Sequence, residues 1–242
     1  MTKEPIWWLL PDVQLPGALQ MALDHWLLEQ HRCGALPPCL RFYRWSRPSL
    51  SLGYHQRHWP QAWASVPGID WVRRPSGGRA VLHSGRDLTY ALVGSGWSGD
   101  RQRAYEQICR FLQVGFRSLG EPLQFGAAQT RRSAVANCFA LATVADLRTA
   151  AGLKRIGSAQ TWQGDCVLQH GAIRLGPDPQ LWWALFGEPA PMDGPAPETV
   201  RQALVEAAVT VYGVRLHPFP GDRLPWSNLL ARAEAFGLPS RA

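Results

Sequence analysis

The chain has 242 residues, 46% of them hydrophobic and 18% charged, which supplies material for one substantial core and excludes a disordered polymer. Its formal charge of +7, from 25 Lys and Arg against 18 Asp and Glu, suits nucleic acid, acidic metabolites or acidic carrier proteins without choosing among them. Five cysteines with no CxxC pair argue against a zinc site or a disulfide framework and fit a reducing cytoplasm. No apolar stretch nears the roughly 20 residues of a membrane span, and MTKEPIWWLLPD at the start lacks the layout of a secretion signal.

In chain order, GALQMALDHWLLEQH (17–31) places Leu19, Ala22, Leu23, Trp26 and Leu27 on one face, an amphipathic helix that ends before Gly34. LRFYRWSRPSLSLGYHQ (40–56) alternates apolar and polar residues around Pro48 and predicts two strands joined by a turn. WVRRPSGG runs a strand into a tight glycine turn, and AVLH with LTYALV reads as the next strand pair. Helical spacing returns at 102–119 through Tyr105, Ile108, Cys109, Leu112 and Phe116, with Gly120 as the stop. CFALATVADLR, KRIGSAQTW and CVLQHGAIRL read as short strands. From Pro177 the chain turns Pro-rich, then helical over 197–212, and ends in a short helix in WSNLLARAEAFGL. This order is not the regular βα alternation of a doubly wound fold, so the expected class is α+β with a largely antiparallel or mixed sheet. The expected division is a catalytic unit at 1–180 and a helical extension at 181–242 packed on the same domain.

Several residues could carry chemistry. Gly77-Gly78 can bring backbone N–H groups close to an anion or a carbonyl, or can simply turn a hairpin; neither GxGxxG nor GxxxxGK[ST] is present. Cys109 falls on an apolar helix face and Cys33 and Cys39 flank a Pro-Pro turn, which suits packing. Cys138 lies where a polar segment meets an apolar run, and Cys166 lies at a strand edge. Lys154 is one of only two lysines, the other being Lys3; it can bind a carbonyl or phosphoryl oxygen or sit in solvent on a turn. His83 and His170 close or interrupt apolar strands, where an imidazole either serves a site or braces backbone.

Taken together, MALDHWLLEQ, LRFYRWSRPSLSLGYHQ, RRPSGGRAVLHSGRDLTYAL and KRIGSAQTWQGDCVLQHGAIRL resemble, in this order, the lipoate-protein ligase and octanoyltransferase branch of the biotin/lipoate protein ligase superfamily. The resemblance covers roughly residues 17 to 177. It implies a mixed α/β domain around a central, mostly antiparallel sheet, and the attachment of octanoyl or lipoyl groups to a lysine of lipoyl-carrier domains. Ligases of this branch activate a free acid with ATP and Mg2+. Transferases take octanoate from acyl carrier protein through a cysteine thioester and need no cofactor or metal. Ligases carry a third glycine where this chain has Arg79, and a guanidinium there would crowd a nucleotide phosphate unless it turned outward. GGRAVLH followed by LTY, with Cys138-Phe139 upstream of GLKRIGSAQ, is similar to the cysteine-dependent octanoyltransferases of the glycine-cleavage H protein type.

By that resemblance Cys138 is the nucleophile and Lys154 the lysine beside the acyl carbonyl. Arg74, Ser76, Gly77, Gly78, Arg79, His83, Gly157, Ala159, His170 and Gly171 are implied to contact substrate, with Leu82, Tyr90 and Leu168 walling an acyl tunnel. Cys166 is taken as packing, with the possibility of being the thiol left open. The donor is octanoyl-acyl carrier protein. The acceptor is the glycine-cleavage H protein or a 2-oxoacid dehydrogenase E2 lipoyl domain, and the basic surface suits acidic partners of this kind. His25 departs from the acidic residue usual after MALD. The alternatives are an ATP-dependent lipoate ligase and a catalytically silent acyl- or carrier-binding homologue. A nucleic-acid repressor is disfavoured because no helix-turn-helix precedes the motifs, and no membrane partner is expected.

Overall fold

The computed structural model describes residues 4–126, 146–191 and 193–238. Strand β1 (Ile6–Leu9) leads to helix α1 (Gly17–Arg32), followed by β2 (Cys39–Tyr43), β3 (Ser49–Leu52), β4 (Asp70–Arg73), β5 (Val81–His83) and β6 (Leu88–Gly94). Helix α2 (Arg101–Ser118) precedes β7 (Gln124–Phe125), β8 (Asp146–Arg148), β9 (Lys154–Gln163) and β10 (Cys166–Ile173). The remainder comprises α3 (Pro179–Phe186), α4 (Pro197–Tyr212), β11 (Arg215–Pro218) and α5 (Trp226–Ala233). No helix among the described residues is long and apolar enough to cross a membrane.

The described strands form an eight-stranded sheet in the order β11-β1-β2-β6-β10-β9-β8-β7 and a three-stranded sheet in the order β4-β3-β5. In the large sheet β11, β1 and β2 run parallel and the other pairings are antiparallel. This is the mixed, mostly antiparallel α+β architecture expected from the sequence. Every residue of β2, β6 and β10 is buried because helices cover both faces. Leu40, Phe42, Tyr90 and Leu92 join a core with Ile108, Phe111 and Leu112 of α2 and Val200 and Leu204 of α4. Their alternating neighbours Cys39, Tyr43, Ala91, Val93 and Leu168 join a second core with Leu23, Leu27 and Leu28 of α1 and Leu229 of α5. The period-2 alternation of strand side chains makes this division. A third cluster fills the small sheet, where Leu50, Leu52, Trp71 and Leu82 meet Trp182 and Leu185 of α3.

Two expected strand pairs do not form. Strands β2 and β3 lie in different sheets: Pro48 has no N–H to extend the ladder, its carbonyl accepts from Asp70, and Ser46 N–H turns to the Leu15 carbonyl. Strands β5 and β6 also part. Their connecting turn is drawn to the segment after β10, where Arg86 N–H donates to the Gly176 carbonyl and Asp87 accepts from Arg174 and from the N–H groups of Leu175 and Gly176.

The buried face of α1 is also rotated from expectation. Leu19 and Trp26 are half-buried, whereas Gln20, Met21, Asp24 and Leu28 are buried. The segment from 181 onward, read as helical, also contributes β11 to the large sheet.

Candidate active site

A mostly apolar cavity with an empty volume of about 450 Å³ opens where the two sheets meet. Met21 of α1, Tyr43 and Trp45, and Val81 of β5 supply apolar walls; Gly157, Ser158 and Ala159 of β9 and His170, Gly171 and Ala172 of β10 supply another. Arg74, Gly77, Gly78, Ser51, His83 and Thr89 complete it. Leu82, Tyr90 and Leu168, expected to wall a tunnel, are not among the residues lining the cavity and instead enter three different core clusters.

The glycine turn is held from beneath by its own arginine. Arg74 is buried and donates from Nη1 to the Ser51 carbonyl (2.8 Å), from Nη2 to the carbonyls of Gly77 and Arg79 (both 2.7 Å), and from Nε to that of Gly77 (3.1 Å). It therefore shapes the loop that forms the cavity wall. Gly78 has φ +98°, and a Cβ there would come within 2.7 Å of Arg74 Nη2, so the turn requires glycine. Thr161 Oγ1 donates to the Pro75 carbonyl (2.6 Å) and Tyr54 N–H to that of Ser76 (2.9 Å), which tie the loop to β9 and to the end of β3. Arg79 is half-buried and does not line the cavity.

The two histidines hold different environments. His83 stacks on Trp45 with ring centroids 4.0 Å apart, and its Nε2 is 2.9 Å from Ser51 Oγ. Burial, aided by Arg174, Arg74 and His170, holds its pKa well below the ordinary imidazole value, so it is neutral at pH 7. On β10, His170 follows Cys166 and Leu168 at two-residue spacing and faces α1. Its Nδ1 lies 2.9 Å from Asp24 Oδ2 and its Nε2 2.5 Å from Ser76 Oγ. Asp24 is fully buried and also accepts from Arg41 Nη1 (2.7 Å) and the Tyr43 hydroxyl (2.9 Å). Arg41 reaches Gln20 as well, and its guanidinium lies 4.0 Å from the Tyr43 ring centroid.

Lys154 begins β9, buried, with Nζ 2.9 Å from Asp146 Oδ1. It does not line the cavity, although Gly157 and Ala159 of the same strand do. Cys138 and Phe139 lie outside the described residues. Cys109 packs in the α2 core and Cys39 in the α1 core, each pushed up to about 12 by burial. Cys166, also raised by burial and by its bond to Asp165, joins the α1 core. None of these three is a thiolate at neutral pH. The structure thus brings Arg74, Ser76, Gly77, Gly78, His83, Gly157, Ala159, His170 and Gly171 around one cavity and leaves Arg79 and Lys154 off its lining. It adds Asp24, Arg41 and Tyr43, which the sequence did not single out. Their signal was Gln20 and Asp24 at i, i+4 spacing in line with the buried Leu27 and Leu28 of α1.

The model of the lipoyl protein ligase A/B catalytic domain matches residues 16–205. The chain belongs to this family. Among curated relatives, the octanoyltransferase LipM of Kyrpidia tusciae is 34% identical over 244 residues, covering 96% of this chain and 87% of that one. LipM of Geobacillus kaustophilus is 38% identical over 205 residues, covering 78% and 72%. Among solved structures, a lipoate-protein ligase A bound with ATP superposes with a TM-score of 0.73 at 22% identity, covering 94% and 93%. A bi-partite lipoate protein ligase of Thermoplasma acidophilum, described with its E2 lipoyl domain, gives 0.69 at 18%, covering 96% and 91%. These two likenesses are of fold.

Within this lipoyl ligase-like domain the apolar cavity can bury a hydrocarbon tail at about 0.8 kcal/mol for each CH₂. Its polar side chains are those of Ser51, Arg74, His83, Thr89, Ser158 and His170, beside the backbone of the Gly77-Gly78 turn.

Proposed function

We propose that this chain is an octanoyltransferase that moves an octanoyl group from acyl carrier protein to a lysine of a lipoyl-carrier protein, in protein lipoylation. What carries this reading is the similarity to octanoyltransferases of the LipM kind over most of the chain, together with a mostly apolar cavity behind the glycine turn. In this mechanism the Cys138 thiolate attacks the carrier thioester and takes the acyl group. Thioester exchange is close to balanced and calls for no ATP. The acceptor amine then attacks the enzyme thioester, which ends in the more stable amide. Lys154 contributes positive charge toward the acyl carbonyl and the nucleophile, the role carried over from the family resemblance, while its ion pair with Asp146 keeps the ammonium oriented.

A lipoyl domain is the acceptor class, by analogy with the ligase described with its E2 lipoyl domain, and the excess of basic residues favours encounter with acidic partners. The free thiols among the described residues suit the cytoplasm as the working compartment.

Incubation with octanoyl-acyl carrier protein in the absence of ATP, followed by intact mass spectrometry, tests the reading. An octanoyl adduct is expected on the wild type and none on Cys138→Ala, which also loses transfer. Full activity in Cys138→Ala, or pyrophosphate release from lipoate and ATP as the productive reaction, overturns it in favour of another thiol or of ligation.

A further inference from the structure

Three separate segments converge on one hydrogen-bonded chain: Asp24 from α1, His170 from β10 and Ser76 from the loop after β4. A carboxylate only accepts, and Asp24 Oδ2 already takes the Tyr43 hydroxyl, so the ring atom facing it carries the proton and His170 is Nδ1–H. Nε2 is then the accepting nitrogen and receives the Ser76 O–H, leaving the Ser76 oxygen lone pairs unspent by that bond. Serine, imidazole and buried carboxylate in this order form a proton relay in which the carboxylate fixes the tautomer and stabilises the imidazolium. The carboxylate is held by Arg41 and Tyr43 and has no exposure, whereas His170 and Gly77, next to Ser76, line the cavity.

The stoichiometry of the proposed reaction, on whose reading this inference rests, says where such a relay is needed. Thiol–thioester exchange passes from one thiolate to another, and no proton has to move at the reacting carbon. A lysine amine, freed from an ammonium of pKa about 10.4, becomes positively charged as it bonds to that carbon and must give up an N–H proton before the neutral amide forms. We propose that Asp24–His170–Ser76 is the relay that removes the proton from the acceptor lysine's amine in the second half-reaction, with His170 as base and Asp24 as a positioning residue.

In that step the free amine, formed after the ammonium has lost one proton to solvent, attacks the Cys138 thioester carbon, and a C–N bond forms. An N–H proton passes to Ser76 Oγ as the Ser76 O–H proton passes to His170 Nε2. The carbonyl re-forms as the C–S bond breaks; the departing thiolate takes up a proton from solvent and the imidazolium releases one to solvent, so the chain is reset and the protons balance.

The charged and titratable groups around the relay are Asp24 on α1, Arg41 and Tyr43 on β2, Arg74 on the loop and His83 on β5. Of these, Tyr43 is held well above the ordinary phenol value by burial and Asp24, and His83 well below the ordinary imidazole value by burial. Neither changes charge between pH 6 and 9.

The test loads the full chain with octanoyl-acyl carrier protein, then mixes it with a lipoyl domain and follows single-turnover transfer from pH 6 to 10 by intact mass. In His170→Gln the ratio of transfer rate to loading rate at pH 7 is expected to fall roughly 100-fold or more, the scale of general-base catalysis, and to recover as pH approaches 10. Ser76→Ala, a smaller change, is expected to lower the same ratio about tenfold with an unchanged melting temperature. Asp24→Asn disturbs a buried ion pair, so it is read only beside its melting curve. Equal losses of loading and transfer at every pH, or no loss in either variant, would overturn the relay. If the wild type fails to load, the transferase reading falls by itself. The relay is then judged by ¹⁵N shifts of the His170 ring at pH 7, where a proton on Nε2 and none on Nδ1 refutes it.

Discussion

The two faces of the central sheet are built from the same strands and hold different interiors. On the α2 and α4 side, Leu40, Phe42, Tyr90 and Leu92 meet an almost wholly apolar layer, and burial alone accounts for it. On the α1 side the same strands carry Arg41, Tyr43 and His170 against Gln20 and Asp24, all buried. Burying charge there stabilises the fold poorly compared with apolar packing, so the polar layer is explained by the cavity it borders. One face stores stability and the other spends part of it on a site.

The comparison breaks if the two faces respond alike. Asp24→Ala leaves Arg41 buried without its carboxylate, at an expected cost of about 3–5 kcal/mol, and should also lower acyl transfer per folded molecule; denaturant unfolding and single-turnover transfer measure both. Phe111→Ala on the other face should cost a similar 3–5 kcal/mol while transfer per folded molecule stays within about twofold of wild type, read by the same two assays. Gly78→Ala forces a side chain into positive φ beside Arg74 and should cost about 1–3 kcal/mol; calorimetry reads the loss, and octanoyl loading should slow because the cavity wall moves.

His83 sharpens the contrast through pH. Its folded pKa is depressed below the unfolded value, so the unfolded state binds more protons just below pH 6.5. The stabilisation from the neutral ring is present above about pH 6.5 and is lost as pH falls through that value toward the folded pKa. His83→Gln should therefore flatten the acid side of the stability profile by up to about 1.4 kcal/mol per pH unit, measured by urea unfolding between pH 7 and pH 5. Arg232→Ala removes a half-exposed pair with Glu29 on the α1–α5 surface and should shift unfolding by no more than about 1 kcal/mol. A larger shift would mean that the surface of this face also carries its stability.

Where the sequence obeyed simple periodicity, its structure was legible. Tyr105, Ile108, Cys109, Leu112 and Phe116 mark the buried stripe of α2, and Gly120 with φ +78° stops the turn beyond it. Strand partners were harder, because β2, β3, β5 and β6 are buried on both faces and burial on both faces erases the alternation that assigns a strand to one face. Helix α3 was not delimited within the Pro-rich start of the helical extension although Asp178 caps it, Pro179 begins it and Gly187 ends it in the left-handed region, signals that composition obscured. At the site, the RRPSGG loop, His83 and His170 stood out by their motifs. Asp24 and Arg41 did not, because a charged residue on a helix or strand reads as solvent-facing until a buried partner is known.

The hydrogen bond between Asp24 and His170 joins residues 146 positions apart, whereas Asp24 and Arg41 are separated by 17. During synthesis the ion pair has both partners early, and the imidazole arrives only after β10 has emerged, on the order of ten seconds or more later at 5–20 residues per second. The charged anchor is therefore complete in the emerging chain well before the imidazole that faces it, and that distant contact is the slower to form.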